Sequence, residues 1–312
     1  MRGLARRWDR FWFAPASPLS LGFCRLLFFA GLFWFQWPFQ THEWARVPAF
    51  YRRPIWTYRF FDLPFFNEFV LIAIETCWVV AIALAAIGLF TRLATATCFI
   101  LGFYLLSLAN NFGKVGHGEQ ALVLTMLILA LSRCGDAWSV DAWIAARRGH
   151  GGDDGVSRPP SGEYRWPIRM VWLVMALIFC AAGASKLRRS GLAWITSDHF
   201  AMTLIQAHHF HVKPPTPIGL YLARFPLLCN VMAAGVVALE LSFPLALIVR
   251  RLRAPIVWAT LLMQVGIGLL MAVWFKQFLF LYLFWVPWDR VGEMIQSKFA
   301  GYGRSTSRLT TG

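Results

Sequence analysis

The feature of the sequence that most constrains its fold is a series of apolar windows, each close to 20 residues long. A helix needs about 20 apolar residues to cross roughly 30 Å of hydrocarbon. Eight windows meet or approach this length. The last is the shortest, and a tilted or re-entrant segment is the alternative reading of it. The windows lie at residues 18–39, 68–90, 93–111, 117–134, 167–187, 227–249, 255–274 and 276–288.

The composition agrees with spanning helices. Of the 312 residues, 58% are hydrophobic and 14% are charged, whereas soluble domains carry about 45–50% apolar and about 25% charged residues. An apolar surplus of this size fits an outer surface that contacts lipid. The sequence therefore predicts an all-α, polytopic integral membrane helical bundle with about eight (seven or eight) transmembrane helices, whose partner is the lipid bilayer.

The ends of the chain differ from its centre. Residues 1–16 are basic and aromatic, which is typical of a helix lying in the membrane interface. Residues 17–290 form the predicted transmembrane domain, and residues 291–312 are expected to be a disordered tail. The polar stretch at residues 147–165, rich in Gly, Asp and Pro, is predicted to be a flexible loop.

The net charge of +15 does not indicate a nucleic-acid partner, because the basic residues lie at the ends of the apolar windows. Such residues orient membrane proteins, since cytoplasmic segments carry an excess of Lys and Arg. With eight spans and a cytoplasmic N-terminus, the inside segments carry 17 basic residues and the outside segments carry 9. This bias predicts that both termini are cytoplasmic.

Five ionisable residues fall within or at the ends of the windows. An ionisable group in hydrocarbon is costly and is a functional candidate by default. A structural alternative exists for each: Arg25 can pair with Glu75 or Glu240 as a clamp, Lys186 can extend to the surface beside Arg188 and Arg189, and His117 can belong to an ordinary helix-entry turn. The five residues are Arg25, Glu75, His117, Lys186 and Glu240.

Lys186 and His117 are predicted to lie near the outer ends of consecutive spans, where both can face one cavity. Small residues at positions 181–185 precede Lys186 and allow helices to approach closely. Close packing removes water, and desolvation favours the neutral amine, which is the form that acts as a base. The local sequence is therefore compatible with a catalytic lysine.

Several short motifs occur in a characteristic order. Gly-Leu-Phe-Thr-Arg occupies residues 88–92, His117 opens a window, Trp-Ser-x-Asp begins at Trp138, and Gly-x-x-Lys-Leu precedes Trp194. Further matches are Pro18 ahead of Arg25, and Glu240 ahead of Pro244. Together these motifs resemble, over nearly the whole chain, the transmembrane core of vitamin K-dependent γ-glutamyl carboxylase and its bacterial relatives, the horizontally transferred transmembrane (HTTM) domain proteins.

This resemblance implies a fold and an activity. Residues 17–290 would form the HTTM domain in a bacterial inner membrane. Lys186 would deprotonate a reduced quinone like vitamin K hydroquinone, with His117 holding it. Reaction with O₂ would give a strong base and finally the epoxide. That base would remove a γ-proton from a glutamate, and the resulting carbanion would capture CO₂. Arg25, Glu75, Trp138 and Glu240 would contribute to substrate binding, and no metal is expected.

Two departures from the carboxylase pattern are present. The large luminal domain of the carboxylase has no counterpart before Gly312, so a separate soluble partner protein is one expectation. A histidine found in span seven of many relatives falls near Gln264. The alternative hypothesis is a non-catalytic membrane protein that binds or transports a lipid or a quinone-like molecule. A metal site formed by His199, His208, His209 and His211 is a third hypothesis.

Overall fold

The computed structural model describes residues 2–37, 39–113, 118–148, 158–210 and 216–291. No β-strand occurs in these ranges, where a single isolated bridge pairs Ala16 with Ser161, so the prediction of an all-α chain is confirmed for them. The α-helices are α1 (Arg2–Phe13), α2 (Pro18–Gln36), α3 (Trp56–Phe60), α4 (Glu68–Ile87), α5 (Thr91–Leu108), α6 (Gly118–Leu131), α7 (Val140–Arg147), α8 (Arg165–Ser190), α9 (Ala193–Thr196), α10 (His199–Phe210), α11 (Ile218–Leu222), α12 (Pro226–Ser242), α13 (Leu245–Ile248), α14 (Arg250–Met271) and α15 (Lys276–Tyr282).

Local sequence explains where the long helices begin and end. The Ser17 hydroxyl accepts a hydrogen bond from the Leu19 amide, and Pro18 takes the first helical position of α2, where its missing N–H costs nothing. The Asn67 side chain caps α4 in the same way. α4 ends at Gly88, which adopts a left-handed conformation with φ of 73°, as glycine does readily at helix C-termini.

Five of the described helical segments are long and apolar enough to cross a membrane. They are Pro18–Gln36, Glu68–Ile87, Thr91–Phe112, Gly162–Ser190 and Arg250–Met271. Two shorter apolar helices, α6 with 14 residues and α12 with 17 residues, occupy two further windows. The last window contains α15, which has 7 residues and extends only about 10 Å at 1.5 Å per residue.

The chain divides into two compact units. The first comprises Met1–Arg169 and Leu283–Gly312, and the second comprises Met170–Tyr282. In the first unit, α4 packs against both α2 and α5, and α5 packs against α6. The indole of Trp78 is fully buried and donates a hydrogen bond of 3.1 Å to the Cys98 carbonyl, which ties α4 to α5.

The core of the second unit is formed by α10, α12 and α14. Phe200, Leu204 and Ala207 of α10 pack with Cys229 and Ala233 of α12 in a buried apolar cluster. The outward faces of helices in both units are also apolar, with Leu, Ile, Phe and Trp side chains exposed along them. Exposed apolar surface of this extent is what a lipid-facing helix presents.

Candidate functional site

Lys186 and Glu240, two of the residues singled out from the sequence, form an ion pair in the second unit. The Lys186 ammonium lies 2.5 Å from Oε1 and 2.6 Å from Oε2 of Glu240. The side chains of Lys186 and Glu240 are 24% and 8% exposed. Lys186 is thus held by a carboxylate on a neighbouring helix instead of extending to the surface alone.

Close packing of α8 against α12 brings the two charges together. A Cβ atom added to Gly183 would lie 3.0 Å from a Leu241 side-chain carbon and 3.1 Å from the Glu240 Cβ. Gly183 lies one helical turn before Lys186, so its missing side chain lets Glu240 approach. Of the small residues at positions 181–185, Gly183 is buried and has the packing role that its size suggested, whereas Ala181 and Ala184 are exposed.

Trp194 completes the surroundings of the pair. The Lys186 ammonium lies 5.3 Å from the centroid of the Trp194 ring, within the range of a cation–π interaction. Glu240 lies about 21 Å along α12 from Pro226 at 1.5 Å per residue. α9 and α10 pack against α12, and α10 contacts Cys229 and Ala233 in its first half. The pair therefore lies near the C-terminal end of α12, two residues before Ser242.

Arg25 lies in the first unit and is fully buried. Its Nη2 donates a hydrogen bond to the Trp138 carbonyl oxygen. Its Nε and Nη1 have no hydrogen-bond partner among the described residues. Arg25 does not form the structural clamp with Glu75 or Glu240 that the sequence allowed. Glu240 is paired with Lys186, and Glu75 has other partners.

Glu75 fixes the segment that follows α2. Its carboxylate accepts a hydrogen bond of 2.8 Å from the Thr41 amide and lies 2.6 Å from Nδ1 of His42. Thr41 begins a 3₁₀ turn, Thr41–Arg46. His42 was not singled out from the sequence, because a residue between two windows gives no sign that it reaches a buried carboxylate in α4.

Trp138 lies in the turn that leads from α6 to α7, where its backbone adopts a positive φ of 52°. This conformation costs roughly 1–2 kcal/mol for a residue with a side chain. The buried Arg25 side chain holds it through the Trp138 carbonyl. Trp138 is 56% exposed, and its ring packs against Phe23, with ring centroids 5.6 Å apart.

The Trp-Ser-x-Asp motif and the Gly-Leu-Phe-Thr-Arg motif meet in the first unit. Asp141 accepts hydrogen bonds from the Phe90 amide at 3.0 Å, the Thr91 amide at 2.7 Å and the Thr91 hydroxyl at 2.7 Å. The Asp141 amide in turn donates to the Gly88 carbonyl at 3.0 Å. Asp141 therefore caps the N-terminus of α5 from a distant part of the chain, where negative charge is favourable.

We expect Asp141→Asn to destabilise the first unit by about 1–3 kcal/mol, because charge-assisted hydrogen bonds to the first turn of α5 are lost. The measurement is unfolding of the purified protein in detergent, followed by tryptophan fluorescence. Asp9→Asn is the matched control, because Asp9 is exposed on α1. Equal stability of the two variants would show that Asp141 does not cap α5.

His117 lies outside the described residues, so its place relative to Lys186 stays a prediction. The histidine cluster considered as a metal site is not assembled in the described ranges, which contain no group of three or more His, Cys, Asp or Glu side chains that could hold a metal. His208 instead contacts the Thr216 carbonyl at 3.1 Å. His211 also lies outside the described residues.

Comparisons with known proteins add nothing to the geometry of the candidate site. No protein-family model matches the chain, and no curated protein or solved structure matches it either. The candidate functional groups are therefore two: the Lys186–Glu240 pair in the second unit, and Arg25 with the two motifs that surround it in the first.

Proposed function

We propose that the chain is a vitamin K-dependent γ-carboxylase-like membrane enzyme that uses a reduced quinone, with the Lys186–Glu240 pair as its base. The observation that carries this proposal is the contact of the Lys186 ammonium with both carboxylate oxygens of Glu240, at 2.5 and 2.6 Å. Buried ionisable groups in membrane helices are costly and mark functional positions.

The Lys186–Glu240 pair can take up a proton in two linked steps. Lys186 would pass one ammonium proton to the Glu240 carboxylate, 2.5 Å away, and the neutral amine would then accept the proton of an acidic hydroxyl group. The 24% exposed Lys186 side chain is the member of the pair that a ligand can reach, and Glu240 holds it in place.

The surroundings of the pair fit a reduced quinone. Trp194 offers an aromatic face 5.3 Å from the Lys186 ammonium, and aromatic faces stack readily on flat rings. Lys186 would bind a ring hydroxyl, and Trp194 would pack against the ring. A bound reduced quinone would supply an acidic hydroxyl group and the electrons for reaction with O₂, and the chain's own groups would accept the proton and exclude water.

The proposal includes seven or eight spans in a bacterial inner membrane, with both termini cytoplasmic. Five helices support it by length and composition. α12, with 17 residues, reaches about 25 Å at 1.5 Å per residue, and α6 reaches about 21 Å.

We expect the purified protein in lipid to convert a naphthohydroquinone to its epoxide in the presence of O₂ and bicarbonate, and Lys186→Ala to reduce the rate at least about 100-fold. Epoxide is detected by mass spectrometry. Arg189→Ala is the matched control, because Arg189 is an exposed cation on the same helical turn of α8, and we expect it to retain the wild-type rate.

A second variant separates loss of chemistry from loss of folding. The double variant Lys186→Met with Glu240→Leu removes both charges together and leaves no unpaired charge behind. We expect it to fold and to form no epoxide. Epoxide formation by this variant at the wild-type rate, or no epoxide from any folded form including wild type, would contradict the proposed enzyme.

Arg25 favours a second candidate function, a membrane protein that binds or transports a lipid or quinone-like molecule without chemical change. Arg25 is fully buried, with two nitrogens that lack partners among the described residues. Such a group can bind the polar end of a ligand. Saturable binding of a quinone to wild type without epoxide formation would support this function over the enzyme.

A further inference from the structure

A polar cleft opens in the first unit, where α5 begins and the turn after α6 passes into α7. Its volume is about 180 Å³, and residues 91, 92, 95, 132–136, 141, 142 and 158 line it. Three arginines contribute to the lining, namely Arg92, Arg133 and Arg158, together with the carboxylates of Asp136 and Asp141. The cleft shares no residue with the Lys186–Glu240 pair, and ligand binding there does not depend on the proposed enzyme activity.

Asp136 holds two of the arginines side by side. Its Oδ2 lies 2.9 Å from Nε of Arg133, and its Oδ1 lies 2.7 Å from Nη1 of Arg158. Tyr164 donates a further hydrogen bond of 2.8 Å to Oδ2. Each guanidinium has five N–H donors, so these contacts orient both groups and leave most of their donors for another acceptor.

The other two charged side chains in the cleft, Asp141 and Arg92, differ in their hydrogen bonding. Both oxygens of Asp141 accept hydrogen bonds from the first turn of α5, which satisfies that carboxylate. The Arg92 side chain is exposed and makes no hydrogen bond or ion pair with the described residues. With three arginines and two already occupied carboxylates, the cleft offers donors for an anion.

Arg25 adds a positive charge that acts on the residues lining the cleft. It interacts electrostatically with Asp141, which lines the cleft. Arg25 is fully buried and has no carboxylate hydrogen-bond partner among the described residues. A buried charge without such a partner is costly, and an anion in the cleft would lower that cost.

We propose that this cleft binds the phosphate group of an anionic membrane phospholipid. Arginine forks match phosphate oxygens in geometry and charge, and basic pockets between the ends of membrane helices bind anionic headgroups. The neighbouring side chains favour a lipid over a soluble phosphate compound, because Phe90 and Leu93, on either side of Thr91 and Arg92, are 66% and 69% exposed and apolar.

Native mass spectrometry of the full chain in detergent tests the proposal by titration with dioleoyl phosphatidylglycerol, with phosphatidylcholine as the zwitterionic comparison. We expect Arg92→Gln with Arg158→Gln to weaken phosphatidylglycerol binding at least about tenfold, since two charge-assisted contacts are lost. Arg250→Gln with Arg251→Gln is the matched control, because both residues are exposed and lie outside the cleft. We expect this control to bind as wild type does.

Equal phosphatidylglycerol affinity in wild type and the cleft variant would overturn the proposal. Displacement of the lipid by inorganic phosphate or glycerol phosphate at matched concentration would overturn the lipid assignment in favour of a soluble phosphate compound. If the cleft variant does not fold, modification of wild-type arginines by phenylglyoxal tests whether the lipid binds in the cleft. Phosphatidylglycerol must then protect Arg92 and Arg158 more than Arg250 and Arg251, and equal protection would contradict the site.

Discussion

Replacing Gly88 with alanine is expected to destabilise the first unit by about 2–4 kcal/mol, because backbone strain and overpacking add. Gly88 has a φ of 73°, which residues with a side chain adopt at a cost. A Cβ atom there would lie 2.1 Å from Nη1 of Arg25 and 2.4 and 2.8 Å from the Cβ and Cα of Ser139. Arg25 is fully buried and Ser139 presents backbone, so neither has an easy route away.

A second glycine, Gly113, is a control that separates the cost of backbone strain from the cost of overpacking. Gly113 has a φ of 102°, yet a Cβ added there would meet no atom of the described residues within 4 Å. We therefore expect Gly113→Ala to show only the cost of its backbone conformation, about 1–2 kcal/mol. Both variants are compared by unfolding of the purified protein in detergent. Equal destabilisation by Gly88→Ala and Gly113→Ala would mean that Gly88 does not contact Arg25 and Ser139 closely.

The sequence predicts the helices well because their signal is local. A run of about 20 apolar residues needs no knowledge of its neighbours, and the caps at Ser17 and Asn67 are also local. The window at residues 276–288 was predicted less well, since α15 ends at Tyr282 after 7 residues and a 3₁₀ turn, Leu283–Trp285, follows it. Hydropathy alone does not distinguish a short helix and a turn from one long helix.

The partners of the charged groups were harder to predict. Sequence identified Lys186 and Glu240 as unusual, but 54 residues separate them, and their pairing depends on Gly183 letting α12 approach. The Trp-Ser-x-Asp motif contributes to the family resemblance, but the sequence does not reveal its physical role. In the structure, Asp141 of this motif caps α5. Contacts of this kind are set by tertiary packing, which leaves no periodic pattern in the sequence.

Removing Lys186 alone is expected to be the most destabilising change in the second unit, by about 3–5 kcal/mol, because it leaves the Glu240 carboxylate buried without a partner. Glu240 is 8% exposed and has Lys186 as its ion-pair partner among the described residues. Lys186→Met keeps most of the side-chain volume, so the loss reports on charge more than on packing. The measurement is unfolding of the purified protein in detergent, with the single and double variants compared.

The double variant and a surface pair give the controls for this prediction. Lys186→Met with Glu240→Leu should recover most of the lost stability, because no buried charge remains and an apolar pair replaces the ionic one. The Arg46–Glu68 pair has the same closest N–O distance, 2.5 Å, but its side chains are 63% and 36% exposed. Water already solvates those charges, so Arg46→Met should leave stability nearly unchanged. If Lys186→Met behaved like Arg46→Met, the Lys186–Glu240 pair would have to be solvated as well, and a sheltered base in the second unit would be excluded.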